Sequence, residues 1–185
     1  MARTKHKSLT IEDVKTLGAT LIEVADLYPL QFRTERDFFP LVLAYLNGRV
    51  PSVETETGTT NGTIDFRIGG PNPAVLELAV APRALIDPNN PTQQFPGHKA
   101  ATQLYATQNK TELKKLKGVP QSQARNRYLL LLDLWGKHDY SSLQEGYEKA
   151  LAPGGGGECV RGIYVKRGNV AKDFRLGGKK KKARN

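Results

Sequence analysis

Residues 63–80, TIDFRIGGPNPAVLELAV, contain two short apolar segments joined by a turn rich in glycine and proline. In the first segment apolar and polar side chains alternate, and this period of two is typical of a β-strand. A connection as short as GGPNP predicts that the two strands pair in antiparallel fashion. Each predicted strand carries one carboxylate near its centre, Asp65 in the first and Glu77 in the second.

Two helices are predicted before these strands. The first spans residues 10–28, because Thr10 and Asp13 form a capping-box pattern and apolar residues then recur at helical spacing up to a proline. The second begins near Thr34 with a similar pattern and continues through the apolar DFFPLVLAYL to Gly48. The first is an amphipathic packing helix, and the second is largely apolar.

The remaining segments predict further strands and helices. VPSVETE precedes GTIDFRI and AVLELAV, so three strands form a meander with a hairpin turn at Asn61-Gly62. Residues 81–97 are expected to form a long loop, residues 97–116 a helix, and RYLLLLDLW a strand buried on both faces. A helix over residues 141–151, a flexible APGGGG link and a last strand, VRGIYVKRG, follow. This order predicts an α/β fold in which helices flank a mixed central sheet, the antiparallel meander plus further strands.

Length and charge restrict the functional classes. The chain has 185 residues, of which 38% are hydrophobic, and predicts one domain over residues 10–175 between a basic arm at 1–9 and a basic tail at 176–185. Its net charge of +10 favours a polyanionic partner such as DNA. One cysteine excludes an internal disulfide framework. A cytoplasmic protein without a membrane partner is expected, because no apolar run reaches the roughly 20 residues of a membrane span.

The two carboxylates are predicted to lie at neighbouring positions on one face of the sheet. Strand alternation separates Asp65 from its apolar neighbours and places Glu77 on the face of Ala79. Two adjacent carboxylates repel each other, so they need a cation, and a hard divalent ion such as Mg²⁺ would suit them. Such an ion can assist phosphodiester hydrolysis. The alternative is a solvated pair of surface acids, with Arg67 as the counterion of Asp65.

The element order helix, meander, helix, strand resembles the core of the PD-(D/E)XK nuclease superfamily over about residues 34–135. Asp65 in GTIDFRI and Glu77 in VLELAV match the acidic positions of its motif. The resemblance implies a restriction-endonuclease-like fold and a Mg²⁺- or Mn²⁺-dependent DNA endonuclease. It also implies that Asp65, Glu77 and the backbone carbonyl of Leu78 bind the metal and that Glu35 in TERDFF assists. The resemblance further implies that the substrate is double-stranded or branched DNA and that the protein forms a homodimer. Its biological role would be in restriction, junction resolution, repair or a phage.

The third member of the family's motif is missing from this chain. The motif expects a lysine two residues after Glu77, where its ammonium would orient the attacking water and stabilise developing charge. This position is Ala79. Three explanations remain open: a substitution introduced to abolish cleavage, a lysine supplied from elsewhere, with Lys99 and Arg83 as candidates, or a non-cleaving basic DNA-binding or assembly protein on a nuclease-like fold.

The predicted helix over residues 97–116 supplies further candidates. The corresponding helix lines the active site in related nucleases, so Lys99 and Gln103 are expected near the reaction centre. Basic side chains on or close to this helix are expected to contact DNA phosphates. These residues are Arg83, Lys99, Lys110 and Lys114. A solvated basic face is the alternative interpretation of these residues.

Overall fold

A six-stranded mixed sheet forms the centre of the protein in a computed structural model. The structure describes residues 8–32, 34–59, 61–82, 85–87, 90–95, 104–150, 159–168 and 170–176. Residues 1–7 of the predicted basic arm, the APGGGG segment and residues 177–185 of the predicted tail lie outside the described residues. Among the described helices, none is long and apolar enough to cross a membrane.

The first predicted helix is confirmed. Helix α1 spans Ile11–Leu27, and its capping box is formed as the sequence predicts. The Asp13 N–H donates to Thr10 Oγ1 at 3.1 Å, and the Thr10 N–H donates to the Asp13 carboxylate at 3.0 Å. Each partner therefore satisfies a backbone donor that the first turn of a helix leaves free.

The second predicted helix is present, but its start differs. The capping pattern of Thr34 and Asp37 begins a short 3₁₀ helix, Glu35–Phe38, and helix α2 follows over Phe39–Asn47. Pro40 lies in the first turn of α2, where a proline removes no hydrogen bond that the helix would otherwise make. The 3₁₀ helix carries Glu35, one of the predicted site residues.

The antiparallel meander is confirmed, although its first strand lies three residues further along the chain than the predicted VPSVETE. Strands β1, β2 and β3 span Val53–Thr59, Gly62–Ile68 and Ala74–Ala81, and each pairs with the next in antiparallel register. β1 includes three residues that the sequence assigned to the turn. The hairpin is confirmed, but Gly62 pairs with Thr59 as the first residue of β2 and does not lie inside the turn. Its φ of +123° is a conformation that glycine adopts without strain.

The remaining elements follow β3 along the chain. They are β4 (Leu85–Asp87), β5 (Asn90–Phe95), helix α3 (Lys110–Gly118), β6 (Asn126–Asp133), helix α4 (Tyr140–Ala150), β7 (Val160–Lys166) and β8 (Val170–Leu176). The sheet order is β1-β2-β3-β6-β7-β8, in which β6 is parallel to both β3 and β7, and β8 is antiparallel to β7. The α/β class and the mixed sheet flanked by helices are therefore confirmed.

Three expectations about these elements were wrong. Strands β4 and β5 form a separate two-stranded sheet where a long loop was expected. VRGIYVKRG is not the last strand, because the chain reverses at Gly168, with a φ of +87°, and adds β8. Leu176, assigned to the tail, is buried in β8.

A fourth expectation, the helix over residues 97–116, was also wrong, since α3 begins only at Lys110. The Leu104 carbonyl accepts a hydrogen bond from the Tyr147 hydroxyl at 3.0 Å. The Gln108 N–H, which would bind that carbonyl in an α-helix, donates to the Tyr105 carbonyl at 2.9 Å. A tertiary contact from α4 thus replaces the helical bond at this point.

Apolar layers cover both faces of the sheet. One layer packs α1 and α2 against side chains that include Phe66, Leu76 and Leu130, and the other packs α3 and α4 against side chains that include Val75 and Leu129. Every residue of β3 is buried. Glu77, with 0% exposure, therefore lies inside the second layer, so a solvated pair of surface acids is excluded for this carboxylate.

Candidate active site

Strands β2 and β3 stop pairing just before the two carboxylates. Their ladder extends from Ile68 opposite Ala74 to Phe66 opposite Leu76. Beyond this ladder, backbone N–H groups donate to side-chain carboxylates and no longer to carbonyls of the neighbouring strand. The Asp65 N–H donates to Glu77 Oε1 at 3.3 Å, and the Leu78 N–H donates to Asp65 Oδ2 at 2.9 Å.

These two bonds hold both carboxylates in the gap between the separating strands. Each carboxylate binds a backbone N–H of the opposite strand, so neither side chain can swing away without leaving a buried donor unsatisfied. The predicted neighbourhood of Asp65 and Glu77 is confirmed. Its cause is strand divergence together with side-chain hydrogen bonding.

Helix α3 brings a lysine to this acid pair. Lys115 Nζ lies 3.3 Å from Glu77 Oε2 and 3.5 Å from Glu112 Oε1. The Lys115 side chain is only 13% exposed, and that of Glu77 is 0% exposed, so solvent screens the attraction less than at a protein surface. Position 79, where the motif expects a lysine, holds a buried alanine within the second apolar layer.

The 3₁₀ helix adds a further acid to the same place. The pKa of Glu35 is raised to about 8. Burial contributes most to this increase, the negative charges of Asp65 and Glu112 add to it, and so does a side-chain hydrogen bond to Asp65. Lys115 lowers the pKa of Glu35. Glu35 is therefore part of the cluster, as predicted.

The pKa values of the other groups agree with a surplus of negative charge. Burial raises the pKa of Glu77 well above its usual range, and the charge of Asp65 raises it further. Burial raises the pKa of Asp65 too, although the Leu78 N–H and Lys115 oppose this increase. The surrounding carboxylates raise the pKa of Lys115 despite its burial. Because four carboxyl groups face one ammonium, the cluster holds protons near pH 7 unless another cation replaces them.

The donor chemistry of this cluster fits a hard divalent cation. Its ligands would be carboxylate oxygens together with the predicted Leu78 carbonyl, and Mg²⁺ and Mn²⁺ prefer such oxygen ligands. In the part of the chain that the structure describes, no three Asp, Glu, His or Cys side chains are already grouped as metal ligands. The carboxylates instead bind backbone N–H groups and Lys115, and a metal ion would take over some of these contacts.

The structure describes only part of the predicted basic surface. Lys110 and Lys114 are exposed on α3, so both ammonium groups are accessible to phosphate. Arg83, Lys99 and Gln103 lie outside the described residues. The backbone of Leu78 contributes its N–H to Asp65, and a role for its carbonyl as a metal ligand stays a prediction.

Two residues of the cluster were missed by sequence reasoning, Glu112 and Lys115. A signal for them exists in the helical pattern. Counted from Glu112, Lys115 and the buried Leu116 and Val119 follow at spacings of three, four and seven residues, which are the spacings of one helix face. The predicted helix begins too early in the sequence, and the lysines predicted as phosphate contacts, Lys110 and Lys114, lie on its exposed side.

No protein-family model matches the chain, and no curated protein matches it in sequence. Geometry and charge around Glu77 are therefore the support for a function.

Proposed function

We propose that the protein is a Mg²⁺- or Mn²⁺-dependent DNA endonuclease with a restriction-endonuclease-like core of PD-(D/E)XK type. The observation that carries this proposal is the position of Lys115 Nζ, 3.3 Å from Glu77 Oε2. Lys115 places beside Asp65 and Glu77 an ammonium group that the side chain of Ala79 cannot provide. Of the three explanations for Ala79, a lysine supplied from elsewhere is the one that this contact supports, with Lys115 in place of Lys99 or Arg83.

The residues of the cluster have distinct roles in this proposal. Asp65 and Glu77, assisted by Glu35 and the Leu78 carbonyl, would hold the divalent ion, which when bound supplies positive charge to the phosphate. The Lys115 ammonium donates hydrogen bonds to the attacking water and stabilises the charge that develops on the phosphate oxygens. The separated ends of β2 and β3 keep these groups at fixed positions, so little reorganisation is needed during the reaction.

The proposed substrate is double-stranded or branched DNA. The net charge of +10 favours a polyanion, and the exposed Lys110 and Lys114 lie on the helix that carries Lys115. Arg83 and Lys99 remain predicted phosphate contacts. An enzyme of this type would act in the cytoplasm as a homodimer, in a restriction, junction-resolving, repair or phage role.

Calorimetry with Mn²⁺ tests the metal site directly. We expect binding to the full chain and its loss in Asp65→Asn and Glu77→Gln, because each variant removes one anionic ligand. Glu54→Gln is the matched control, since Glu54 is exposed on β1, and it should bind as the unchanged protein does. No binding to the unchanged protein, or equal binding to all variants, would contradict the metal site.

Cleavage is tested with plasmid and branched DNA, in Mg²⁺ and in EDTA. We expect Mg²⁺-dependent cutting that disappears in Asp65→Asn. Metal binding without cutting of any of these DNAs would favour the second candidate, a non-cleaving basic DNA-binding or assembly protein.

A further inference from the structure

Three aromatic rings meet at the loop that follows β6. The rings of Tyr105 and Trp135 both contact the ring of His138, with centroid distances of 5.6 and 5.3 Å and interplanar angles of 73° and 69°. Tyr105 is 44% exposed, and Trp135 is half-buried, whereas His138 is buried. Two accessible rings thus pack against one buried ring. We name the group formed by Tyr105, Trp135 and His138 the aromatic platform.

A buried carboxylate fixes the loop that carries this platform. Asp133 accepts hydrogen bonds from the N–H groups of Gly136 and His138, at 2.7 and 3.1 Å, and from the Tyr164 hydroxyl at 2.8 Å. His138 Nδ1 lies 3.0 Å from the same carboxylate. Because these contacts set the ring positions in advance, a ligand would lose little free energy in ordering the platform.

Basic side chains surround the platform. Lys137 is exposed, with its Nζ 5.4 Å from the centroid of Trp135, and Lys166 Nζ donates to the His138 carbonyl at 3.3 Å. The one acid of this loop, Asp139, accepts the Ser142 N–H at 2.8 Å and thereby caps the start of α4. Two ammonium groups, those of Lys137 and Lys166, thus stand against the one exposed carboxylate of Asp139. The net charge beside the rings is positive, which complements a phosphate chain.

A stacked base would outcompete the lysine over Trp135. Base stacking on an aromatic ring is worth about 5- to 150-fold in affinity, whereas an exposed cation–π contact is worth about 2- to 5-fold. A base can therefore displace the Lys137 ammonium from the ring, and the freed ammonium can contact an adjoining phosphate. Stacking tolerates any base sequence, since every base has a π face.

The platform lies on the same side of the sheet as the acidic cluster. Asp133 is opposite Ala81 in the pairing of β6 with β3, and Ala81 lies four residues after Glu77, on the same face. At about 3.3 Å per residue, Asp133, whose carboxylate contacts His138 of the platform, lies roughly 13 Å from Glu77 along the strand direction. Such a distance falls within a binding site of a few nucleotides.

We propose that the aromatic platform binds unpaired bases of single-stranded DNA and guides the adjoining strand to the cluster around Glu77. This inference rests on the proposed function, and it narrows the substrate to DNA that contains a single-stranded portion, such as a flap or a branch. The rings supply stacking, and Lys137 supplies a phosphate contact.

The single tryptophan of the chain allows a direct test. The full chain is titrated with oligothymidylate in EDTA, and the fluorescence of Trp135 is recorded. We expect quenching by the stacked base. Tyr105→Ala should weaken binding by about 5-fold or more, and Lys137→Ala should reduce the slope of log affinity against log salt by about one.

Tyr28→Ala is the matched control for Tyr105→Ala. Tyr28 is 55% exposed at the end of α1, and its loss should leave oligothymidylate affinity unchanged. Thermal melting of each variant verifies that it folds. Unchanged Trp135 fluorescence, equal affinity of Tyr105→Ala and the unchanged protein, or duplex DNA that competes as well as oligothymidylate would overturn the proposal. Tighter binding of oligouridylate RNA would overturn the assignment to DNA.

The same titration with Glu77→Gln separates this proposal from the nuclease. Because EDTA removes any metal and Glu77 is not part of the platform, quenching should persist in that variant. If the chain neither binds Mn²⁺ nor cuts DNA but is still quenched by oligothymidylate, the nuclease fails and the platform stands. If it cuts DNA without quenching, the platform fails alone.

Discussion

Lys115 Nζ lies 3.3 Å from Glu77 Oε2, although the two residues are 38 positions apart in the chain. Both side chains are largely removed from solvent, and a buried charge whose partner is removed is strongly destabilising. Helix α3 must therefore pack so that its lysine meets β3. This contact connects the stability of the fold with the chemistry proposed for the site.

Removal of the Lys115 ammonium should slow cleavage more than it weakens DNA binding. We expect Lys115→Met to lower kcat by about 10²- to 10³-fold, as loss of one transition-state donor does elsewhere, with a smaller change in KM. Lys114→Met is the control, because Lys114 is the exposed neighbour and should affect affinity alone. Steady-state cleavage kinetics measure both. Equal loss of kcat in the two variants would contradict a specific role for Lys115.

A lysine restored at the motif position gives a second readout. The double variant Ala79→Lys with Lys115→Met should recover part of the lost cleavage, because position 79 is on the face of Glu77. Thermal melting must show that the double variant folds, since Ala79 is buried. A folded double variant without any recovery would count against the equivalence of the two positions.

Metal binding should release protons. Burial raises the pKa of Glu35 to about 8, so Glu35 carries a proton near pH 7. Since a metal requires deprotonated ligands, Mn²⁺ should bind more weakly at pH 6 than at pH 8. At pH 7, the calorimetric heat should differ between buffers of different ionisation enthalpy, and less so in Glu35→Gln. Identical heats in both buffers would disprove proton release.

Two helical glycines should respond to alanine in opposite directions. A Cβ on Gly18 of α1 would lie 2.6 Å from Val165 Cγ2 and 3.1 Å from Leu130 Cδ1, whereas a Cβ on Gly146 of α4 meets nothing within 4 Å. Gly18→Ala should therefore lower the free energy of unfolding by about 1–3 kcal/mol. Gly146→Ala should raise it by about 0.5–1 kcal/mol. Urea unfolding measures both, and a stabilised Gly18→Ala would contradict the close packing of α1.

Asp133, the carboxylate next to the aromatic platform, should make the free energy of unfolding depend on pH in the acidic range. Burial opposes the ionisation of Asp133, but hydrogen bonds from His138, Tyr164 and Gly136 outweigh it and hold its pKa below the usual range. An ionised Asp133 thus stabilises the fold above the unfolded-state pKa of about 3.9, and this contribution is lost as the pH falls below that value.

Thermal melting between pH 7 and pH 3 tests this dependence. Asp133→Asn should melt at a lower temperature than the unchanged protein at pH 7, and the difference should narrow towards pH 3. Asp26→Asn is the control, because Asp26 forms a half-exposed ion pair with Arg167, and such pairs contribute about 0–1 kcal/mol. A constant difference across the pH range would show that ionised Asp133 is not the cause.

Local patterns in the sequence predicted most of the secondary structure. The alternation in GTIDFRI and the Asn61-Gly62 turn predicted β2 and its hairpin, and Thr10 with Asp13 predicted the start of α1; all three are confirmed. These features depend on neighbours a few residues apart, so the sequence alone carries them. The pairing of Asp65 with Glu77 is also predictable, because a short turn joins their strands.

The rest was decided by tertiary contacts. The Tyr147 hydroxyl binds the Leu104 carbonyl, and from Leu104 to Asn109 the described chain does not form the α-helix that local spacing predicted. The meeting of Lys115 with Glu77, and of Tyr105 with His138, depends on how helices and loops pack on the sheet. No local periodicity encodes such packing. The sequence by itself determined the two carboxylates and their strands, whereas the tertiary structure decided which cation faces them, because that choice arises from burial between elements distant in the chain.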